Sequence, residues 1–234
     1  MKAIYRRELH AYFSSPVGYV FAAVWFLLSG AVFSLTTLFA MTSSVTSYFT
    51  YMLLAMTVLL PLLTMKTFSE ERRQKTEQIW QSAPVSLWGV VTGKFLAAMT
   101  LFAGCVCVSS LAFLILPLYG KVKAGILFGN LLALLLAGAT FLAVGTFVSS
   151  LCVNQLASAV VTVAVLLAFL GVGLLSSFVS FYPLRFVLNA LSVFSRFSGF
   201  SQGVFDPAAL VYDLSLTAIF LFLTVRVYDR RRLR

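Results

Sequence analysis

Charge is scarce in this chain. Asp, Glu, Lys and Arg together make up 10% of its 234 residues, against about 25% in an ordinary soluble domain, too few to solvate a water-facing exterior. Histidine is scarcer still. His10 is the only one; this excludes a His-based metal cluster, and its place ahead of every apolar run excludes a Ser–His pair at work inside a membrane. The cysteines, Cys105, Cys107 and Cys152, are odd in number and lie in or beside apolar runs, which fits neither a disulfide framework nor a zinc site. What is abundant is apolar surface: 61% hydrophobic residues and a mean hydropathy of +0.99. That content excludes disorder and implies an integral membrane protein. A net charge of +10 on a soluble protein would point to nucleic acid. Here the bases gather between apolar runs, the pattern that orients a membrane protein, so no nucleic-acid partner is expected.

Crossing about 30 Å of hydrocarbon takes about 20 mostly apolar residues. Six segments qualify: Val17–Phe39, Phe49–Met65, Phe95–Tyr119, Gly125–Leu151, Ala157–Phe181 and Pro207–Val225. The first is 23 residues long, beyond the about 7–15 apolar residues of a signal peptide, and reads as a retained span. Six spans leave no room for a soluble domain, so residues 1–234 are expected to form a single all-α transmembrane domain. If the N-terminus is cytoplasmic, thirteen bases lie inside: Lys2, Arg6 and Arg7, the five from Lys66 to Lys94, and the five from Arg226 to Arg234. Four lie outside, Lys121, Lys123, Arg185 and Arg196. The excess places both termini on the cytoplasmic side of the cell membrane.

Three segments outside the spans carry pattern. In residues 1–16, Tyr5, Leu9, Tyr12 and Phe13 share one helical face and Lys2, Arg6 and His10 another, an amphipathic helix lying in the membrane interface. Residues 67–87 form the one strongly polar connection. Thr67 and Glu70 have capping-box spacing, Glu70 and Glu71 suit a helix start, Glu71 and Lys75 form an i, i+4 pair, and Trp80 offers an interfacial anchor. This predicts a short charged helix suited to docking a partner, against the plainer reading of a solvated loop. In residues 182–206, Arg185, Asn189, Ser192 and Arg196 make a polar stripe beside Phe186, Val187, Val193, Phe194 and Phe197. One or two short helices that cover, or dip into, the outer leaflet are expected.

Motifs for chemistry fail when tested. Gly89-Val-Val-Thr-Gly93-Lys94-Phe95 falls one spacer residue short of a phosphate-binding loop, and Phe95 stands where the magnesium-binding hydroxyl belongs. Gly89 with Gly93, and Gly125 with Gly129, read instead as small-residue surfaces for close helix packing. Asp213 is the sole acid within a span. Its nearness to the outer end suits either a hydrated interfacial carboxylate, paired with Arg185 or Arg196, or a substrate path or outer gate. No second intramembrane carboxylate completes a proton relay. No catalytic, cofactor or metal-binding residue is expected, and a transporter of this composition would borrow its energy.

The run Phe68-Ser-Glu-Glu-Arg-Arg-Gln-Lys75-Thr76-Glu77-Gln-Ile79, then Ala83-Pro84-Val85-Ser86 and Gly93-Lys94-Phe95, resembles the signature of type-two ABC export permeases. The stretch from Phe200-Ser-Gln-Gly203 through Tyr212 to Leu221-Phe-Leu-Thr224 is similar to the gliding-motility permease branch of that family, and Arg7-Glu8-Leu9 with Tyr12-Phe13-Ser-Ser-Pro16 extends the likeness to the N-terminus. The resemblance implies an interfacial elbow helix near residues 2–13, a coupling helix over about 68–83, and outer re-entrant helices over about 183–203. It implies an ATP-driven exporter of two permease halves, identical or different, and two separate ATP-binding subunits that hold the ATP and magnesium. Phe68, Glu70, Glu71, Arg72, Arg73, Lys75, Thr76 and Glu77 would then couple the permease to its ATPase. Lys75 replaces the family's usual glycine there, and Asp213 stands where an apolar residue is expected. The rival reading is a non-transporting membrane scaffold for a cytoplasmic complex; an ATP-binding subunit encoded next to this chain would favour transport.

Overall fold

The computed structural model describes residues 2–41, 45–74, 86–118, 124–176, 181, 192, 193, 196, 197, 199 and 206–232. Every regular element among them is helical. Helix α1 spans Lys2–Ser14 and α2 spans Pro16–Phe33, continued by a π-helical turn over Ser34–Leu38. Helix α3 is Thr46–Thr64, α4 is Ser69–Arg73, and α5 is Leu87–Ser110, continued as a 3₁₀ helix over Leu111–Leu118. Then come α6 (Ala124–Leu151), α7 (Gln155–Ser176) and α8 (Pro207–Arg232). Six of these are long and apolar enough to cross a membrane, as the hydropathy pattern predicts.

The corner between α1 and α2 follows from local chemistry. A residue before proline is pushed out of the helical region, and Ser15 is extended (φ −101°, ψ 151°), with Pro16 opening α2, where its missing N–H costs nothing. Gly18 lets the two helices fold together, since a Cβ there would lie 2.3 Å from the Tyr12 carbonyl oxygen. Along α1, Tyr12 is buried while Lys2, Arg6 and His10 are exposed, as the amphipathic pattern predicts; Phe13 does not pack into the bundle.

Helix α6 is the central post, packing against α3, α5, α7 and α8. Its contact faces are small. A Cβ at Gly138 would meet the Phe102 ring at 2.2 Å, and one at Gly145 would meet Thr64 Oγ1 at 2.2 Å. Without a solvent to drive helices together, this close approach supplies packing energy in a bilayer. At Gly125, in contrast to the packing expected there, a Cβ would meet nothing within 4 Å among the described residues. Gly93 does serve close packing: its face lies against Ile4 and Tyr5 of α1. At the end remote from α1, Phe33, Tyr48, Phe49 and Phe113 form an aromatic cluster.

One span boundary differs consequentially. The sequence reading starts the third span at Phe95, leaving Lys94 outside; α5 begins at Leu87, so Lys94 sits within the helix and is buried.

Candidate functional site

Both terminal segments and α4 meet at one end of the bundle. There Lys94 is 2% exposed. A buried ammonium is expensive unless each of its three N–H groups finds an acceptor, and Lys94 has three. Its Nζ lies 2.7 Å from the Thr67 carbonyl oxygen, 2.9 Å from Glu71 Oε1 and 3.4 Å from Glu8 Oε1. Arg7 closes the circuit, donating to Glu8 Oε1 at 2.7 Å and Glu71 Oε1 at 3.1 Å. Two bases and two acids from α1, α4 and α5 therefore neutralise one another. The hydrogen bond to Glu8 is the main reason the Arg7 guanidinium pKa rises above its ordinary value, with Glu71 adding to it against the burial that opposes it. Tyr12, on the same helix, is held neutral by burial, which raises its pKa, and its hydroxyl donates to the Leu63 carbonyl at 3.1 Å.

Helix α4 is tied down on its other side as well. Ser149 Oγ of α6 accepts the backbone N–H groups of Phe68 and Ser69, both at 3.2 Å. These are among the orphan donors of a helix start, so a side chain from another helix does the work of the N-cap. The expected Thr67–Glu70 capping box does not form: Phe68 is the N-cap residue, and Thr67 Oγ1 turns back to the Thr64 carbonyl at 2.6 Å. Arg72 donates to the Leu151 carbonyl at 2.7 Å and Arg231 of α8 to the Ser150 carbonyl at 2.9 Å. Two guanidinium groups thus satisfy the last carbonyls of α6, where a cation is also favoured by the helix dipole. Phe68 lies under the Lys94 ammonium, 5.1 Å from Nζ to the ring centroid, and packs on Tyr228 at 5.0 Å. A cavity of about 570 Å³ opens between the start of the chain and α4, walled by Arg7, Lys66 and Lys94 and by Glu8, Glu70 and Glu71.

A family model described as ABC-2 family transporter protein matches residues 19–229. The chain belongs to the ABC-2 transporter family. A comparison with curated proteins found no match. Six apolar helices and the family together make this chain a multi-pass permease subunit, the membrane component of a transporter.

In this ABC-2 permease the residues predicted to couple divide into two groups. Phe68, Glu71 and Arg72 face the permease's own body, as their bonds to Tyr228, Lys94 and Leu151 show. Arg73 is exposed, as is its neighbour Gln74, which was not among the predicted residues. Glu70 lies between, 3.9 Å from Lys66 Nζ and 3.3 Å from Gln74 Nε2. Lys75, Thr76 and Glu77 lie outside the described residues, as do Trp80, Arg185 and most of the 182–206 segment.

Asp213 is not the hydrated interfacial carboxylate that its position suggested. It is 5% exposed, enclosed between α8 and α6. Thr140 Oγ1 lies 3.3 Å from its Oδ1, 3.2 Å from its carbonyl oxygen and 3.4 Å from Thr217 Oγ1. The pairing with Arg196 is also corrected: that guanidinium stands 4.0 Å from Asp206 Oδ2 and stacks 5.6 Å from the Tyr212 ring. The sequence reading missed Glu8, Lys94 and Ser149. For Lys94 a signal existed, a base inside a run that reads as apolar from Leu87 onward, where an intramembrane charge marks function by default. Ser149 acts only through partners remote in the chain, and Glu8 joins the network through the remote Lys94 as well as its neighbour Arg7.

Proposed function

We propose that this permease subunit is driven by a separate ATP-binding subunit that docks on α4 and the residues following it, and that it works with a second permease half as an exporter of the gliding-motility-like branch. In this reading the end bearing α1, α4 and the C-terminus of α8 faces the cytoplasm, α1 is the elbow helix, and α4 begins the coupling helix. The resemblance of the 68–79 run and of the C-terminal stretch supports it, as does the excess of bases at that end. The observation that carries the mechanism is the anchoring of α4. Lys94 ties it to α1 and α5, and Ser149 with Arg72 ties it to α6, so a push on its exposed side, at Arg73 and Gln74, moves four helices together. Nucleotide-driven closure of the ATPase would rock the permease body through this joint, and charge complementarity at the exposed side would set partner choice more than affinity.

The test is purification of the full chain from its native membrane in detergent, identification of the ATP-binding subunit that travels with it, and measurement of hydrolysis. The reading expects such a subunit to co-purify, with less of it retained by Arg73→Glu. A chain that carries no ATP-binding subunit, or an Arg73→Glu complex indistinguishable from wild type, contradicts it.

A further inference from the structure

The cavity at the charged end has a wall that the Lys94 network leaves to spare. Its volume of about 570 Å³ falls within the range of small-ligand sites, about 300–1,000 Å³. On its inner side Glu8, Glu71 and Lys94 are committed to one another and to Arg7. On its outer side Lys66 and Glu70 stand 3.9 Å apart, each about one-third exposed (32% and 34%). That distance is the limit of an ion pair, so an ammonium and a carboxylate both present hydrogen-bonding capacity to the space between them. Arg7 adds a 61% exposed guanidinium, whose bonds to Glu8 and Glu71 both leave from one terminal nitrogen, so that its other donors have no such bond among the described residues. The remaining side is formed by Ala11, Ser15 and Val17, at the corner where the surface helix turns into the first span. The cavity therefore lies beside the start of the first apolar helix.

From this balance we propose that the cavity is a binding site for a zwitterionic aminophospholipid, with the chemistry of phosphatidylethanolamine. The phosphate lies against Lys66 and Arg7, the primary ammonium donates to Glu70, and the acyl chains leave past Val17. A purely anionic ligand would meet three carboxylates and a purely cationic one three bases. A zwitterion whose charges are a few ångströms apart gains from both sets. A quaternary ammonium has no N–H to donate to Glu70, so a choline headgroup is the poorer fit. Charge-assisted bonds of this kind are the strong ones. The site does not depend on the docking role of α4 or on which side of the membrane this end faces.

The experiment uses the full chain, purified and delipidated in detergent micelles carrying equimolar dioleoyl-phosphatidylethanolamine, -phosphatidylcholine and -phosphatidylglycerol, with retained lipid counted by native mass spectrometry. The ethanolamine lipid is expected to be retained about tenfold over either competitor. Lys66→Ala and Glu70→Gln should each bring it down to the level of the choline lipid. Ala11→Trp, which fills the cavity and leaves every charge in place, should abolish the preference too; it decides the matter if either charge variant unfolds. Equal retention of the three lipids, preference for the glycerol lipid, or undiminished retention in Ala11→Trp overturns the proposal. Displacement of the lipid by equal concentrations of soluble O-phosphoethanolamine assigns the site to a soluble zwitterion and overturns the lipid assignment. Shielding of Lys66 from amine acylation by a co-purified protein, with no shielding by the lipid, assigns the cavity to a protein partner and overturns it equally.

Discussion

Lys94 and Asp213 are both charged side chains buried in spans, and the chain treats them differently. Lys94, on α5, is enclosed by two carboxylates and a backbone carbonyl drawn from two other segments, α1 and the 67–71 stretch. Asp213 is enclosed by hydroxyl groups: Thr140 donates to it, and among the described residues no base lies within ion-pair distance of it. The first arrangement is a joint. Removing one member strands opposite charges, so the helices it links move together. The second is a local polar contact between α6 and α8 that can be altered without stranding a counter-charge. A buried charge is informative about force transmission only when its partners come from elements that must move as one.

The comparison is broken most severely at Lys94. Lys94→Met takes the buried ammonium from Glu8 and Glu71, leaving them the more exposed Arg7, strips the Thr67 carbonyl of its donor, and should destabilise the folded chain by about 3–5 kcal/mol, read as a fall in unfolding midpoint in detergent. A loss near zero would mean that the carboxylates are solvated and the joint is illusory. Ser149→Ala removes the acceptor for two buried N–H groups and should cost about 1–3 kcal/mol in the same assay, with faster proteolytic cleavage near Arg72 and Arg73 as α4 detaches from α6. Wild-type cleavage rates would show that α4 is held by the charged joint alone.

A gentler probe is Tyr12→Phe, which deletes the bond to the Leu63 carbonyl and should cost about 1 kcal/mol. It also sharpens the comparison through pH. Burial raises the Tyr12 pKa above that of the unfolded chain, so its contribution is fully present below the unfolded value of about 10 and is lost as pH rises above it. Wild type should therefore lose stability on the alkaline side of pH ~10 more steeply than the variant, and parallel curves would contradict the assignment. The smallest effect is expected at Asp213→Asn, which keeps an acceptor for Thr140 while removing a charge that no described base meets at ion-pair distance. Stability should change by less than about 1 kcal/mol or increase; a loss comparable to that of Lys94→Met would place Asp213 in an ion pair and erase the contrast.

The six spans were legible because a bilayer demands about 20 apolar residues in a row, and composition alone supplies that signal. The α1–α2 corner was legible through Pro16 and the alternation of Tyr5, Leu9 and Tyr12 with Lys2, Arg6 and His10. The wiring of α4 was not. Local spacing favoured a Thr67–Glu70 cap, because only nearby partners are visible in a linear pattern. The structure instead draws on Ser149, Lys94 and Arg7, brought in by tertiary packing. Glycine spacing misled for the same reason: the Gly125–Gly129 spacing offered a packing face, whereas Gly138, with Leu134 and Leu142 four residues to either side, is the one that faces the Phe102 ring. Lys94 was set outside the span because a lone base in an apolar run appears costly until its acceptors are known.

The central claim, that an ATP-binding subunit drives this permease through the exposed side of α4, is tested most directly by site-specific photocrosslinking in native membranes. A benzophenone side chain at Arg73 should crosslink to the ATP-binding subunit. The same group at Phe39, 80% exposed just beyond the far end of the first span, should not. Crosslinking to that subunit from Phe39, or its absence from Arg73, would contradict the account.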